Sequence, residues 1–195
     1  FKYGEDGMDA CAVEEQSLEI ITMKTEEICK KFLFKKDTKW KELLTEEAND
    51  RIGSSKKQDE ELENAFYEII QHKIHIYKNI IKNNKVTNSV KFPVHIKRIV
   101  SNVCRKHVAK SDITPSEILS MIYDLKENIS NPVKENIILS TLIDVHLHPK
   151  KLIEEYKIQK KELETIVDII EETYERSKIA PGEMVGAIAA QSIGE

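Results

Sequence analysis

Leu62-Glu63-Asn64-Ala65-Phe66-Tyr67-Glu68-Ile69-Ile70-Gln71-His72-Lys73-Ile74-His75-Ile76-Tyr77-Lys78-Asn79-Ile80-Ile81 is the stretch on which the fold class turns. Leu62, Phe66, Ile69, Ile70, Ile74, Tyr77, Ile80 and Ile81 recur at three- and four-residue steps, the period that turns one side of an α-helix toward a core. The reading is a long amphipathic helix. A small polar linker, Gly53-Ser54-Ser55-Lys56-Lys57, precedes it, and Asn83-Asn84 stops it.

The same period extends outward from this stretch. Thr25 to Leu33 and Lys39 to Ile52 read as helices, with Thr38 and Thr45 as caps or breaks. Pro93, suited to the first helical position, opens a helix whose apolar face is Val94, Ile96, Ile99, Val100, Val103 and Val108. Thr114 followed by Glu117 three residues on is a capping box, with Pro115 just inside the start. Pro132 to His146, a short helix from Lys150 to Tyr156, and Lys161 to Ser177 complete the set, punctuated by Pro149 and Ala180-Pro181. Lys85 to Phe92 alternates with period two and reads as an edge strand. The expected fold class is mainly α, a multi-helix domain with at most a small β element.

Composition narrows the functional classes. Of the 195 residues 33% are charged, yet the formal net charge is only -4, which argues against a free-standing binder of phosphate backbone. Cys11, Cys29 and Cys104 are widely spaced and odd in number, so they signal neither a disulfide framework nor a zinc site, and they point to a reducing intracellular compartment. No apolar run approaches the roughly 18 residues that cross a bilayer, and the opening residues lack a signal-peptide layout, so no membrane role is expected. The chain starts with Phe1, and Glu195 closes an apolar helical pattern in mid-stride, so a piece of a longer protein is expected. Lysine outnumbers arginine heavily, and isoleucine and asparagine are abundant, as in an AT-rich genome.

Side chains capable of chemistry are sparse. Glu5, Asp6 and Asp9 sit on a glycine-flanked turn with Gly4 and Gly7, but their spacing fails the calcium-loop pattern and solvated carboxylates are the plainer reading. His72 and His75, like Cys104 and His107, are three apart, yet no third and fourth ligand accompanies either pair. Ser17, Ser192 and His146 lie in no nucleophile elbow. No catalytic residue and no metal site is expected.

Ala180-Pro181-Gly182-Glu183-Met184-Val185-Gly186-Ala187-Ile188-Ala189-Ala190-Gln191-Ser192-Ile193-Gly194-Glu195 differs from everything before it, being rich in small residues. Gly182, Gly186 and Ala190 fall four apart, a face without bulk where another backbone can approach, at about 1 kcal/mol for each mid-helix glycine relative to alanine. A packed core helix would show the same spacing. The full wording, Pro-Gly-Glu-Met-Val-Gly followed by Ala-Ala-Gln-Ser-Ile-Gly-Glu, closely resembles the segment leading into the trigger loop of the largest subunit of multisubunit DNA-directed RNA polymerases, cellular and viral. Tyr3-Gly4-Glu5-Asp6-Gly7-Met8-Asp9-Ala10, continued by Gln16-Ser17-Leu18, resembles the sequence after the bridge helix of the RNA polymerase II subunit. Pro93 to Asn102 is similar to a proline-opened helix inside its foot domain. One departure is Glu15, where the family usually has lysine before Gln-Ser-Leu.

The resemblance implies a division into a post-bridge-helix segment (1–19), a foot domain (20–179) and a helix leading into the trigger loop (180–195). It implies nucleotidyl transfer by the parent enzyme, with Mg²⁺ and Zn²⁺ held elsewhere in that subunit and no cofactor here. Gly182, Gly186 and Ala190 would be the trigger-loop base, with Gln191, Ser192, Gly194 and Glu195 at its hinge, and Tyr3, Gly4, Glu5, Asp6, Gly7 and Asp9 the post-bridge-helix turn. Implied partners are other polymerase subunits, and on the foot the capping enzyme, Mediator or other transcription factors, while the parent enzyme contacts DNA and RNA. The implied setting is the nucleus, or a cytoplasmic replication site and virion for a large DNA virus. Two other classes stand beside this reading: a stand-alone helical interaction adaptor, and a metal-dependent enzyme using the acidic turn and the histidines. Bridge helix and trigger loop are neighbours in the resembled enzymes, so Tyr3 and Glu195 are expected on one side of the fold.

Overall fold

The computed structural model describes residues 14–34, 38–52, 56–79, 89–104, 109–129, 137–178 and 180–194. In chain order these form β1 (Glu14–Ser17), α1 (Thr25–Phe32), α2 (Glu46–Arg51), α3 (Lys56–Asn79), β2 (Ser89–Phe92), α4 (Ile96–Val103), α5 (Pro115–Asn128), α6 (Ile137–His146), α7 (Lys160–Arg176) and α8 (Val185–Gly194), with 3₁₀ turns at Glu19–Ile21 and Thr38–Leu43. The fold is mainly α. Among the described residues the β content is one antiparallel pair of strands, with Glu14 opposite Phe92 and Ser17 opposite Ser89, and an isolated bridge between Leu44 and Ser111; the alternating stretch before Pro93 does form a strand over its last four residues.

α5 shows how local chemistry sets an element. Thr114 Oγ1 accepts from the Glu117 amide at 3.3 Å, Glu117 Oε2 accepts from the Thr114 amide at 2.8 Å, and Pro115 sits at the first turn, where its missing N–H costs nothing. Its inner face, Ile118, Leu119, Ile122 and Leu125, is buried. Arg51 clamps the start of the helix, donating from Nη1 to Glu117 Oε1 at 2.8 Å and from Nη2 to the Asp112 carbonyl at 2.5 Å. The core is one continuous cluster in which Phe66, Ile69 and Ile76 of α3 join Leu139, Leu142 and Ile143 of α6 and Leu163, Ile166 and Ile170 of α7. Burying each such side chain stabilises by roughly 1.5–3 kcal/mol.

Several elements depart from their sequence reading. The helix expected from Lys39 to Ile52 is two pieces, because the backbone between them is engaged elsewhere: Ser111 N donates to the Leu43 carbonyl at 2.8 Å and Thr45 N to the Ser111 carbonyl at 2.9 Å. A continuous helix would need those groups for itself. Thr45 then caps α2, its Oγ1 accepting from the Ala48 amide at 3.3 Å. Pro93 does not open a helix; it is buried beyond β2, and α4 begins at Ile96 with His95 Nδ1 accepting from the Arg98 amide at 3.2 Å. Cys104 already lies in a turn, and 105–108 fall outside the described residues. α3 begins at Lys56, so Lys56 and Lys57 belong to the helix and not to a linker; its expected stop at Asn83-Asn84 lies outside the described residues.

The inner face of α3 is also rotated from its sequence reading. Ile76 is buried, whereas Ile74 is 40% and Tyr77 56% exposed. Between Pro149 and Tyr156 the short expected helix is a helical turn, Pro149–Lys151, running into a π-helical turn, Leu152–Tyr156, which ends at Lys157 with φ 49°. Ile158 N then reaches back to the Leu152 carbonyl at 3.2 Å.

Candidate functional site: an uncovered carboxyl-terminal helix

Pro181 and Gly182 form a turn, with the Glu183 amide donating to the Ala180 carbonyl at 3.2 Å and Gly182 at φ 88°. Proline at the second position and a positive-φ glycine at the third define a type II turn. Gly182 therefore lies before the helix and not on its face, which corrects the sequence reading: the small-residue face starts at Gly186 and continues through Ala190. Any side chain at Gly182 would be strained whatever the space around it.

α8 follows, opened by Ala187 and Ile188 amides donating to the Met184 carbonyl at 3.1 and 3.2 Å. Residues 184–191 are all exposed, with Met184 at 76%, Val185 at 50% and Ile188 at 41%. A Cβ added at Gly186 would meet nothing within 4 Å. Ala190 and Gln191 are exposed, and Ser192 and Gly194 lie within α8. Glu195, and Tyr3, Gly4, Glu5, Asp6, Gly7 and Asp9, are outside the described residues, as is the expected proximity of Tyr3 to Glu195. Along 184–191 the chain thus leaves apolar and bulk-free residues exposed to solvent.

Sequence reasoning missed the polar groups inside the core. Asp144 of α6 is 9% exposed, near the end of the run from Ile137 to Val145. Lys126 Nζ of α5 lies 2.5 Å from Asp144 Oδ1, and His72 Nδ1 of α3 lies 3.3 Å from Oδ2 without the alignment of a hydrogen bond. The carboxylate joins three helices and is balanced by the lysine. An aspartate interrupting an apolar run was the only sequence signal, and it did not name its partners. His72 thus faces Asp144, while His75 is exposed and pairs with it in no site.

Two more histidines are buried. Burial, reinforced by the Lys151 ammonium, pushes His146 down to about 3, and its Nδ1 stands 3.4 Å from Lys151 Nζ. Burial likewise pushes His148 down to about 3; Phe32 meets its ring edge-on at 5.1 Å and Phe34 stacks at 6.1 Å. Both are neutral at physiological pH. Burial and the Glu162 carboxylate raise the Cys104 thiol to about 11, so it is protonated and weakly nucleophilic. Among the described residues no group of three His, Cys, Asp or Glu side chains could hold a metal ion. No helix among them is long and apolar enough to cross a membrane.

The family model for RNA polymerase Rpb1, domain 6, matches residues 8–177. A curated relative, DNA-directed RNA polymerase subunit 1 of Acanthamoeba polyphaga mimivirus, is 25% identical over 216 aligned positions covering 99% of this chain. The chain spans 14% of that relative's length.

Proposed function

The chain belongs to the RNA polymerase Rpb1, domain 6, family, a part of the polymerase largest subunit, and on that premise we propose that it supports the trigger loop and offers a docking surface within a DNA-directed RNA polymerase. The carrying observation is α8: a helix exposed along residues 184–191, with open space where Gly186 lacks a side chain. The reading is a rigid base that packs backbone to backbone against another part of the enzyme, so that the loop beyond it can fold over a matched nucleotide and reopen. Gly186 and Ala190 provide the close approach. Gln191, Ser192, Gly194 and Glu195 lie where base gives way to moving loop, and Gly182 sets the angle at which α8 leaves the domain.

The helical domain, approximately residues 20–179, is read as the foot, a surface for other polymerase subunits and for transcription factors or the capping enzyme. Mg²⁺ and Zn²⁺ would be held elsewhere in the subunit, and no step of nucleotidyl transfer is assigned to this chain. The location follows the enzyme: nucleus, or cytoplasmic replication site for a virus.

The test is Gly186→Leu in the full-length subunit assembled with its partners. Single-nucleotide addition is expected to slow while assembly persists; unchanged elongation would remove the support for a close-packed base.

A further inference from the structure

α3 presents an outward stripe that the core does not use. Glu60, Glu63, Tyr67, Ile74 and Tyr77 follow one another at steps of three, four, seven and three residues, which keeps them on one side of a helix, and all five are exposed. Tyr67, Ile74 and Tyr77, at 58%, 40% and 56%, are three of the large hydrophobic side chains left in solvent. The stripe is graded: carboxylates at its amino-terminal end, rings and an aliphatic side chain along the rest. Glu60 and Glu63 make no ion pair among the described residues.

The field beside the stripe is negative as well. Tyr123 of α5, 51% exposed, donates from its hydroxyl to Glu68 Oε1 at 3.2 Å. Burial first, then the Glu68, Asp144 and Glu61 carboxylates, raise the Tyr123 phenol above its ordinary range. Lys126, the nearby cation, is committed to Asp144. From Asp59 through His72, α3 carries five carboxylates and no lysine or arginine.

We propose that the outward stripe of α3 is a docking site for an amphipathic segment of a partner protein, with lysine or arginine set against Glu60 and Glu63 and apolar side chains laid over Tyr67, Ile74 and Tyr77. The carboxylates orient the segment, because its basic end is attracted to Glu60 and Glu63, one turn inside the start of α3 at Lys56 and Lys57, and not to the end that carries Ile74 and Tyr77. The rings supply buried area at low entropic cost and attract cations on their faces. This deepens the docking role proposed above and rests on it.

The probe is a model amphipathic peptide of lysine and leucine, compared with its glutamate and leucine counterpart, titrated into the 195-residue chain at low salt by calorimetry. Saturable binding of the lysine peptide is expected, weakened about tenfold by Tyr67→Ala and by raised salt. Glu60→Lys with Glu63→Lys is expected to exchange the preference of the two peptides. Circular dichroism of each variant checks the fold, which exposed substitutions preserve. No saturable binding, equal binding of both peptides, or a preference that survives charge reversal would overturn the site; so would self-association of the chain abolished by Tyr67→Ala, which would make a second copy the occupant. Elongation by the Gly186→Leu enzyme reads the trigger-loop base alone, so the two ideas fail separately.

Discussion

The domain between β1 and α7 and the helix α8 solve opposite problems with opposite residues. Inside the domain, isoleucine and leucine fill a continuous core, and buried polar groups are paired or neutral. α8 carries glycine and alanine where the domain carries bulk, and along 184–191 it is exposed. The contrast teaches that small residues in a helix mean close packing only where a neighbour exists; under the function proposed above, that neighbour of α8 is another part of the polymerase. Side-chain volume, read along the chain, separates the filled core from the exposed helix.

The contrast can be broken most forcefully from inside. Asp144→Ala would leave the partly buried Lys126 ammonium without its carboxylate and is expected to destabilise the chain by about 3 kcal/mol or less in urea unfolding. Asp144→Leu combined with Lys126→Met should restore most of that loss; if it does not, the pair does more than balance charge.

Acid separates the regions next. His146 and His148 titrate near 3 in the fold against 6.5 ordinarily, so below 6.5 the unfolded chain binds protons that the folded chain refuses. Their contribution is fully present above 6.5 and is lost as pH falls toward 3; at pH 5 the loss is about 2 kcal/mol for each histidine. α8 contains no titratable residue from Val185 to Gly194. Its amide signals should hold through a pH range in which the global unfolding midpoint falls.

A smaller effect is expected at Thr114→Ala, which removes the cap of α5 and should cost about 1 kcal/mol by thermal unfolding. The smallest has the opposite sign. Gly186→Ala fills open space and replaces a glycine in the first turn of α8, so helicity in α8 should rise by less than about 1 kcal/mol while the global midpoint stays put. A destabilised domain in that variant would mean that α8 packs on its own core after all.

Helix existence was legible in the sequence because the apolar period is local. The Thr114 and Glu117 box is complete within four residues, and it formed as read. Features decided by distant partners were not legible. Ile76 and not Ile74 faces inward on α3, since α6 sets the rotation and the wheel alone allows both. The split near Leu44 depends on Ser111, far along the chain, and the Asp144 network on residues from two other helices. At α8 the lack of bulk was readable, but Gly182 served a turn, because Pro181 before it set the local backbone.

Ser111 meets Leu43 and Thr45 through its backbone, and its hydroxyl donates to the Ile158 carbonyl at 2.5 Å. One residue thus fastens three stretches that a ribosome releases far apart in time. The first cannot be secured until the second has emerged, and neither is finished before Ile158 clears the exit tunnel, so the nascent domain waits unlatched for most of its synthesis.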